Sequence, residues 1–199
     1  MTGETQTRVL VVDDEVELNR VFANWLAASY DVVTAYDGRE ALDRIDERVD
    51  VVLLDRHMPR LDGDRVAAEI RARDLDCRVV MVTGIAPDFG VLEMGFDDYV
   101  VKPVNRAELL ETVARMEELG RYDAASRRFF ALVAKRDTLR AAKSDAELER
   151  NEAFTSLLEE LEAARSSLDT GRAATGEETG VADEAVFRDP PEWQLPEFT

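Results

Sequence analysis

Five short runs of aliphatic, mostly β-branched residues constrain this chain more than any other feature. They are Val9-Leu10-Val11-Val12, Val32-Val33, Val51-Val52-Leu53-Leu54, Val79-Val80-Met81-Val82 and Tyr99-Val100-Val101. None alternates polar with apolar residues, as a strand with one wet face would, so each reads as a strand covered on both sides. Helical patterns separate them. Leu18, Val21, Phe22, Trp25 and Leu26 share one face of the first helix, and Leu109, Leu110, Val113 and Met116 one face of the last. Asp37 with Glu40 forms a capping pattern for the second helix, and Asn105 caps the fifth. After an arm of residues 1–6, five strands alternating with five helices over residues 7–120 predict a doubly wound α/β domain.

Composition removes several classes of function. The 43 acids against 25 bases leave a net charge of −18, a surface that repels nucleic acid and anionic membranes. At 45% hydrophobic residues the chain still has enough to build a core. Cys77 and His57 are the only residues of their types, which excludes an internal disulfide and a cysteine- or histidine-rich zinc centre. No apolar run approaches the roughly 20 residues of a membrane span, and the opening MTGETQTR lacks a signal-peptide pattern, so a cytoplasmic protein is expected. All bases except Lys102, Lys135 and Lys143 are arginine. Such an acidic, arginine-rich surface suits molar salt, where the Debye length falls to about 3 Å.

Residues 121–168 have a different character. Tyr122, Ala125, Phe129, Leu132 and Leu139 follow heptad-like spacing, as do Phe154, Leu157, Leu161, Ala164 and Leu168. Ser144-Asp145-Ala146-Glu147 reads as a capping box that restarts the helix. The first stretch is basic and the second acidic, so a coiled-coil-like helical hairpin is expected, its two arms drawn together by charge. Residues 169–199, rich in Gly, Thr and Glu before an aromatic, proline-containing end, read as a disordered acidic tail.

Ligands of an open α/β sheet bind beyond the carboxyl ends of its strands. Those ends carry Asp13-Asp14, Asp55, Thr83 and Lys102-Pro103. Two carboxylates about 4 Å apart repel by on the order of 4 kcal/mol at an effective dielectric near 20, so such a cluster calls for a counter-charge. An oxygen-only ligand set suits Mg²⁺. An aspartate between a divalent cation and a lysine is placed to attack phosphorus, and the Thr83 hydroxyl to bond a phosphoryl oxygen.

V-V-D-D-E at Val11–Glu15, L-L-D-R-H-M-P at Leu53–Pro59, V-T-G at Val82–Gly84 and D-Y-V-V-K-P at Asp98–Pro103 together resemble the receiver domain of two-component response regulators. The resemblance implies a flavodoxin-like (βα)5 fold with parallel strand order 2-1-3-4-5. It implies that Asp55 accepts a phosphoryl group from a sensor histidine kinase. Asp13, Asp14, Asp55 and the backbone carbonyl of His57 would bind Mg²⁺, and Lys102 would contact the phosphoryl group. Thr83 and Tyr99 would be the switch pair, Tyr99 turning inward on phosphorylation, and Pro103 would follow a cis peptide. Gly84 stands where alanine is commoner. Such a domain is a signalling switch rather than an enzyme, with a capacity for self-phosphorylation from small donors and for autodephosphorylation. Residues 121–168 resemble the HalX domain of haloarchaeal regulators in Tyr122, the heptad spacing and the acidic second helix. The output expected is protein interaction, homodimerisation through the receiver or the hairpin, or transcriptional regulation, with DNA binding by the hairpin less favoured. A reading of another class is a haloacid-dehalogenase-like Mg²⁺ phosphatase with Asp13 as nucleophile, although Glu15 stands where that pattern needs a second aspartate.

Overall fold

The computed structural model describes residues 6–175, with side chains as far as Leu168. Residues 1–5 of the expected 1–6 arm, and residues 176–199 of the expected 169–199 tail, lie outside the described residues. The apolar runs form strands β1 (Arg8–Val12), β2 (Asp31–Ala35), β3 (Val51–Leu54), β4 (Arg78–Thr83) and β5 (Asp98–Val101). All pair in parallel in the order β2-β1-β3-β4-β5, as expected. Register sets Val12 beside Ala35 and Leu54, and Thr83 beside Val101. The polar residues that follow therefore leave the sheet along one rim.

Helices α1 (Val16–Leu26) and α4 (Arg106–Leu119) cover one face of the sheet, burying Phe22, Leu26, Leu109, Val113 and Met116 on Val9, Val11, Leu53 and Val80. Helices α2 (Gly38–Arg44) and α3 (Gly63–Ala72) cover the other. Their starts follow the capping chemistry. The Asp37 carboxylate accepts from the N–H groups of Arg39 and Glu40 at 2.8 and 2.9 Å. Asn105 and Glu108 complete a reciprocal capping box at α4.

The expected helix between β4 and β5 is not formed. Phe89–Glu93 makes a short 3-10 turn instead. Pro87, Gly90 and Gly95 punctuate this stretch, and each disfavours an α-helix interior. The Asp88 carboxylate opens the turn by accepting from the N–H of Gly90 at 2.9 Å. Beyond it, Arg71 of α3 fastens the segment, donating to the Gly95 carbonyl at 3.0 Å and pairing with Asp97 at 2.7 Å.

The C-terminal helices supply the cover that this helix would have given. They are α5 (Ala124–Ala142), α6 (Asp145–Glu149) and α7 (Glu152–Thr175). Helix α5 lies along β5, the edge strand. Its Phe129, Phe130 and Val133 join the core beneath α1 and α4. Its Leu132 and Leu139, with Phe154 and Leu157 of α7, join the core on the opposite face beside Val91, Phe96 and Tyr99. Lys135 donates to the Leu92 carbonyl at 2.9 Å and lies 5.6 Å from the centre of the Phe96 ring. Lys143 stands 5.8 Å over Phe89. The hairpin thus shares both cores of the α/β unit and masks an edge that would otherwise be open.

Three features of the hairpin differ from the sequence expectation. Its second arm is broken: α6 ends at Glu149 and Asn151 restarts the chain, its side chain accepting from the N–H of Phe154 at 2.9 Å. Helix α7 also runs on to Thr175, past Leu168. Charge does little to join the arms. Among the described ion pairs Arg128–Glu160, at 3.5 Å, crosses between them, whereas Arg127 pairs with Asp76 of the α/β unit at 2.7 Å and Arg136 with its neighbour Asp137. The apolar seam carries the hairpin. Among the described residues no helix is long and apolar enough to cross a membrane.

Ending the chain after Gly120 removes five buried side chains of α5 (Phe129, Phe130, Leu132, Val133 and Leu139) from the two cores. At about 1.5–3 kcal/mol for each large apolar side chain, that loss rivals the whole stability of an ordinary domain. Urea unfolding of the shortened chain is expected to show a strongly lowered midpoint with dye-binding apolar surface, and an unchanged midpoint would contradict the shared core.

Candidate functional site

Backbone bonds carry the sheet one residue past its strands at the rim. The N–H of Asp55 donates to the Val12 carbonyl at 2.9 Å, that of Asp13 to Ala35 at 3.2 Å, and that of Lys102 to Thr83 at 2.8 Å. Asn19 of α1 is fully buried, and its amide donates to the carbonyls of Ala35 (2.8 Å) and Asp13 (3.2 Å). It fastens the ends of β1 and β2 together. Sequence reasoning passed over Asn19 because it sits inside an otherwise apolar helical face; a polar residue at such a position was the available signal.

Lys102 stands at the centre. Its Nζ lies 2.7 Å from Asp13 Oδ2 and 3.2 Å from Asp55 Oδ1, and the second Asp13 oxygen accepts from the N–H of Glu15 at 2.9 Å. All three side chains are largely buried. Burial pushes the Asp13 carboxyl above its usual range, against the pull of Lys102. Burial also works against the charge on Lys102, but the hydrogen bond and field of Asp13, with Asp55 behind it, prevail and raise its pKa. One ammonium between two carboxylates leaves an excess negative charge in the cluster.

Asp14 and His57 are exposed. Thr83 is buried, and its hydroxyl accepts from the N–H of Ile85 at 3.4 Å. Tyr99, expected to swing inward on phosphorylation, already lies inward, its hydroxyl donating to the Ile85 carbonyl at 2.9 Å. The Lys102–Pro103 peptide is cis. A methyl group at Gly84 would meet no atom within 4 Å, so alanine would fit there.

Among the described residues no three His, Cys, Asp or Glu side chains stand together as a metal cluster: Lys102 bonds both Asp13 and Asp55, and Asp14 faces solvent. The donor set at the rim is nevertheless all oxygen with surplus negative charge, which fits a hard cation that completes its shell with water. Asp13, Asp14, Asp55 and the His57 carbonyl would hold it.

Arg56, next to Asp55, is a buried residue that the sequence reading did not single out. Its Nε lies 3.3 Å from Asp64 of α3 and its Nη2 3.8 Å from Asp88, and the guanidinium also meets the Tyr99 hydroxyl. Burial pushes the Tyr99 phenol above its ordinary pKa, and the neighbouring Arg56 pulls the other way. These partners are distant in sequence, so no local pattern announces them. The carbonyl of Arg56 accepts from the N–H of Gly63 at 2.8 Å, and a Cβ at Gly63 would stand 2.2 Å from the Asp55 carbonyl oxygen.

Comparison with known proteins matches residues 9–114 to the response regulator receiver domain and residues 118–185 to the HalX domain. A Haloferax volcanii protein bearing the name of a transcriptional regulator is 45% identical over 159 residues, 79% of this chain and 27% of its own. The transcriptional regulatory protein PrrA of Mycobacterium tuberculosis is 42% identical over 123 residues, 59% of this chain and 52% of its own. The chain therefore spans between about a quarter and about half the length of these relatives. Among solved structures, the response regulator TrrA of Thermotoga maritima, in complex with Mg²⁺ and beryllofluoride, superposes with a TM-score of 0.50 at 34% identity, covering 55% of this chain and 98% of that one. Neither family match supports the phosphatase reading, and Asp13 has both oxygens engaged, one by Lys102 and one by Glu15.

Replacing Lys102 with Met strands two buried carboxylates, a loss of about 3 kcal/mol at pH 7. Without the ammonium, burial alone acts on the Asp13 carboxyl and raises its folded-state pKa further, so the deficit relative to the unaltered chain is expected to shrink as pH falls through the carboxylate range. Urea unfolding of both chains at pH 7 and pH 5 checks the sign. Gly63→Ala forces the Asp55 backbone aside, and an intact rim with unaltered stability in that variant would refute the close approach.

Proposed function

We propose, from the premise that this chain belongs to the response regulator receiver family and carries a HalX domain behind its receiver, that it is a phosphorylation-controlled switch. Asp55 takes a phosphoryl group from a sensor histidine kinase. The observation that carries this reading is the Lys102 ammonium bonded to both Asp13 and Asp55 at the rim. An Asp55 carboxylate oxygen attacks phosphorus, a P–O bond forms, and the P–N bond of the donor histidine breaks. Lys102 neutralises charge on the transferring group, and the Thr83 hydroxyl donates to one of its oxygens. Bound Mg²⁺ would supply the remaining positive charge. Magnesium and beryllofluoride bound to the similar TrrA support this assignment.

The product carries roughly −1.5 to −2 charge and three acceptor oxygens. Thr83 and Tyr99 flank the β4–β5 connection that receives them, and the hairpin packs on that same connection. Output is therefore taken by the hairpin, as protein interaction or homodimerisation in the cytoplasm. The names of the relatives favour a role in transcription. Direct DNA contact by α5 is less favoured, because Arg127, Arg128, Lys135 and Arg136 already have partners within the chain. The chain acts as a switch, with self-phosphorylation from small donors and autodephosphorylation as its own chemistry.

Labelled acetyl phosphate with Mg²⁺ is expected to mark the full chain. Asp55→Asn and a chelator should each lower the label about tenfold or more, the usual cost of removing a nucleophile or its electrostatic support. Label that survives in Asp55→Asn and disappears in Asp13→Asn would establish the phosphatase instead.

A further inference from the structure

The 3-10 turn Phe89–Glu93 is gripped from two sides. From the acceptor side comes Arg56, one residue past Asp55 and one-tenth exposed, which reaches Asp64 of α3 at 3.3 Å, Asp88 at 3.8 Å and the Tyr99 hydroxyl. Asp88 in turn opens the 3-10 turn through Gly90. From the hairpin side come the two lysines of α5 and its C-cap: Lys135 on the Leu92 carbonyl and the Phe96 ring, and Lys143 over Phe89. Within the turn the Val91 N–H donates to the Asp88 carbonyl at 3.1 Å and the Met94 N–H to the Val91 carbonyl at 3.3 Å. Among 25 bases only three are lysine, and the two outside the rim both touch this one turn.

We propose that Arg56 is the positioning residue that couples the acceptor Asp55 to the hairpin, by fixing Asp88 and with it the 3-10 turn against which α5 is seated. The inference rests on Asp55 being the phosphoryl acceptor. A guanidinium is a rigid fork of donors that serves several partners at once, which an ammonium does not. A phosphoryl group on Asp55, the neighbouring residue in the chain, adds a charge that competes with Asp64 and Asp88 for that fork. The hold on Asp88 weakens, the turn loosens, and the contacts that Lys135 and Lys143 make with it from α5 loosen too.

Amide hydrogen exchange on the full chain, with and without acetyl phosphate and Mg²⁺, tests this when Asp55 labelling is measured on the same samples. In the unaltered chain the donor is expected to speed exchange in residues 89–93 and along α5 by about tenfold, within the range usual for coupled sites. Arg56→Met should keep the label and lose the α5 response, and Arg56→Lys should restore part of it. Asp88→Asn, which leaves the buried arginine in place, should lose the response in the same way, so the result does not depend on one variant folding. A labelled Arg56→Met chain whose α5 responds like the unaltered one overturns the coupling. A labelled unaltered chain with a silent α5 also overturns it and leaves the acceptor assignment standing, whereas an unlabelled chain overturns both.

Discussion

Lys102 holds the ends of three strands at one point. Its ammonium joins Asp13 at the end of β1 and Asp55 at the end of β3, although β4 separates β3 from its own strand, β5. Burying an ion costs several kcal/mol even after relaxation, and the parallel register offsets that cost by delivering opposite charges to bonding distance. The bonds between Asp55 and Val12, and between Lys102 and Thr83, set that register at the rim itself. The cluster retains more negative charge than positive. That imbalance makes the rim receptive to a cation, and it leaves Lys102 ready for a stronger partner than either aspartate.

The other side of the sheet shows what happens when a fold omits one element. Without a helix between β4 and β5, apolar residues such as Phe96 and Tyr99 would face water, and β5 would present an open edge. Helix α5 covers both, contributing side chains to each core because it straddles the edge strand. A segment that would ordinarily be joined to the α/β unit by a linker is built into its hydrophobic interior.

Much of this was legible in the sequence, for identifiable reasons. The five apolar runs are short and uninterrupted, so strand number, parallel pairing and the polar residues at their ends follow from pattern alone. Caps at Asp37, Asn105 and Ser144 depend on neighbours within three residues and were equally readable. The absent fourth helix was not read, although Pro87, Gly90 and Gly95 marked it. The alternation of strand and helix implies an element there that the local composition does not support. Arg56 was invisible because its partners lie in other elements, and Asn19 was marked only by its polarity within an apolar helical face. The expected attraction between the hairpin arms failed for a related reason: net charge along a helix does not say which neighbour each arginine meets, and Arg127 meets Asp76 of the α/β unit.

The sharing of the core bears on how such proteins can be recombined. A receiver clothed in its own full set of helices is modular, and an exchange of effectors at the junction leaves both partners intact. Here the boundary between α4 and α5 is a boundary in the chain and not in the interior. A crossover at that point would hand a new effector to a sheet with one flank bare, and give the old effector a foreign surface its apolar residues do not fit. The smallest piece that can be transplanted is the α/β unit together with its hairpin, so variation in output is confined to whatever the outer faces of α5 and α7 present.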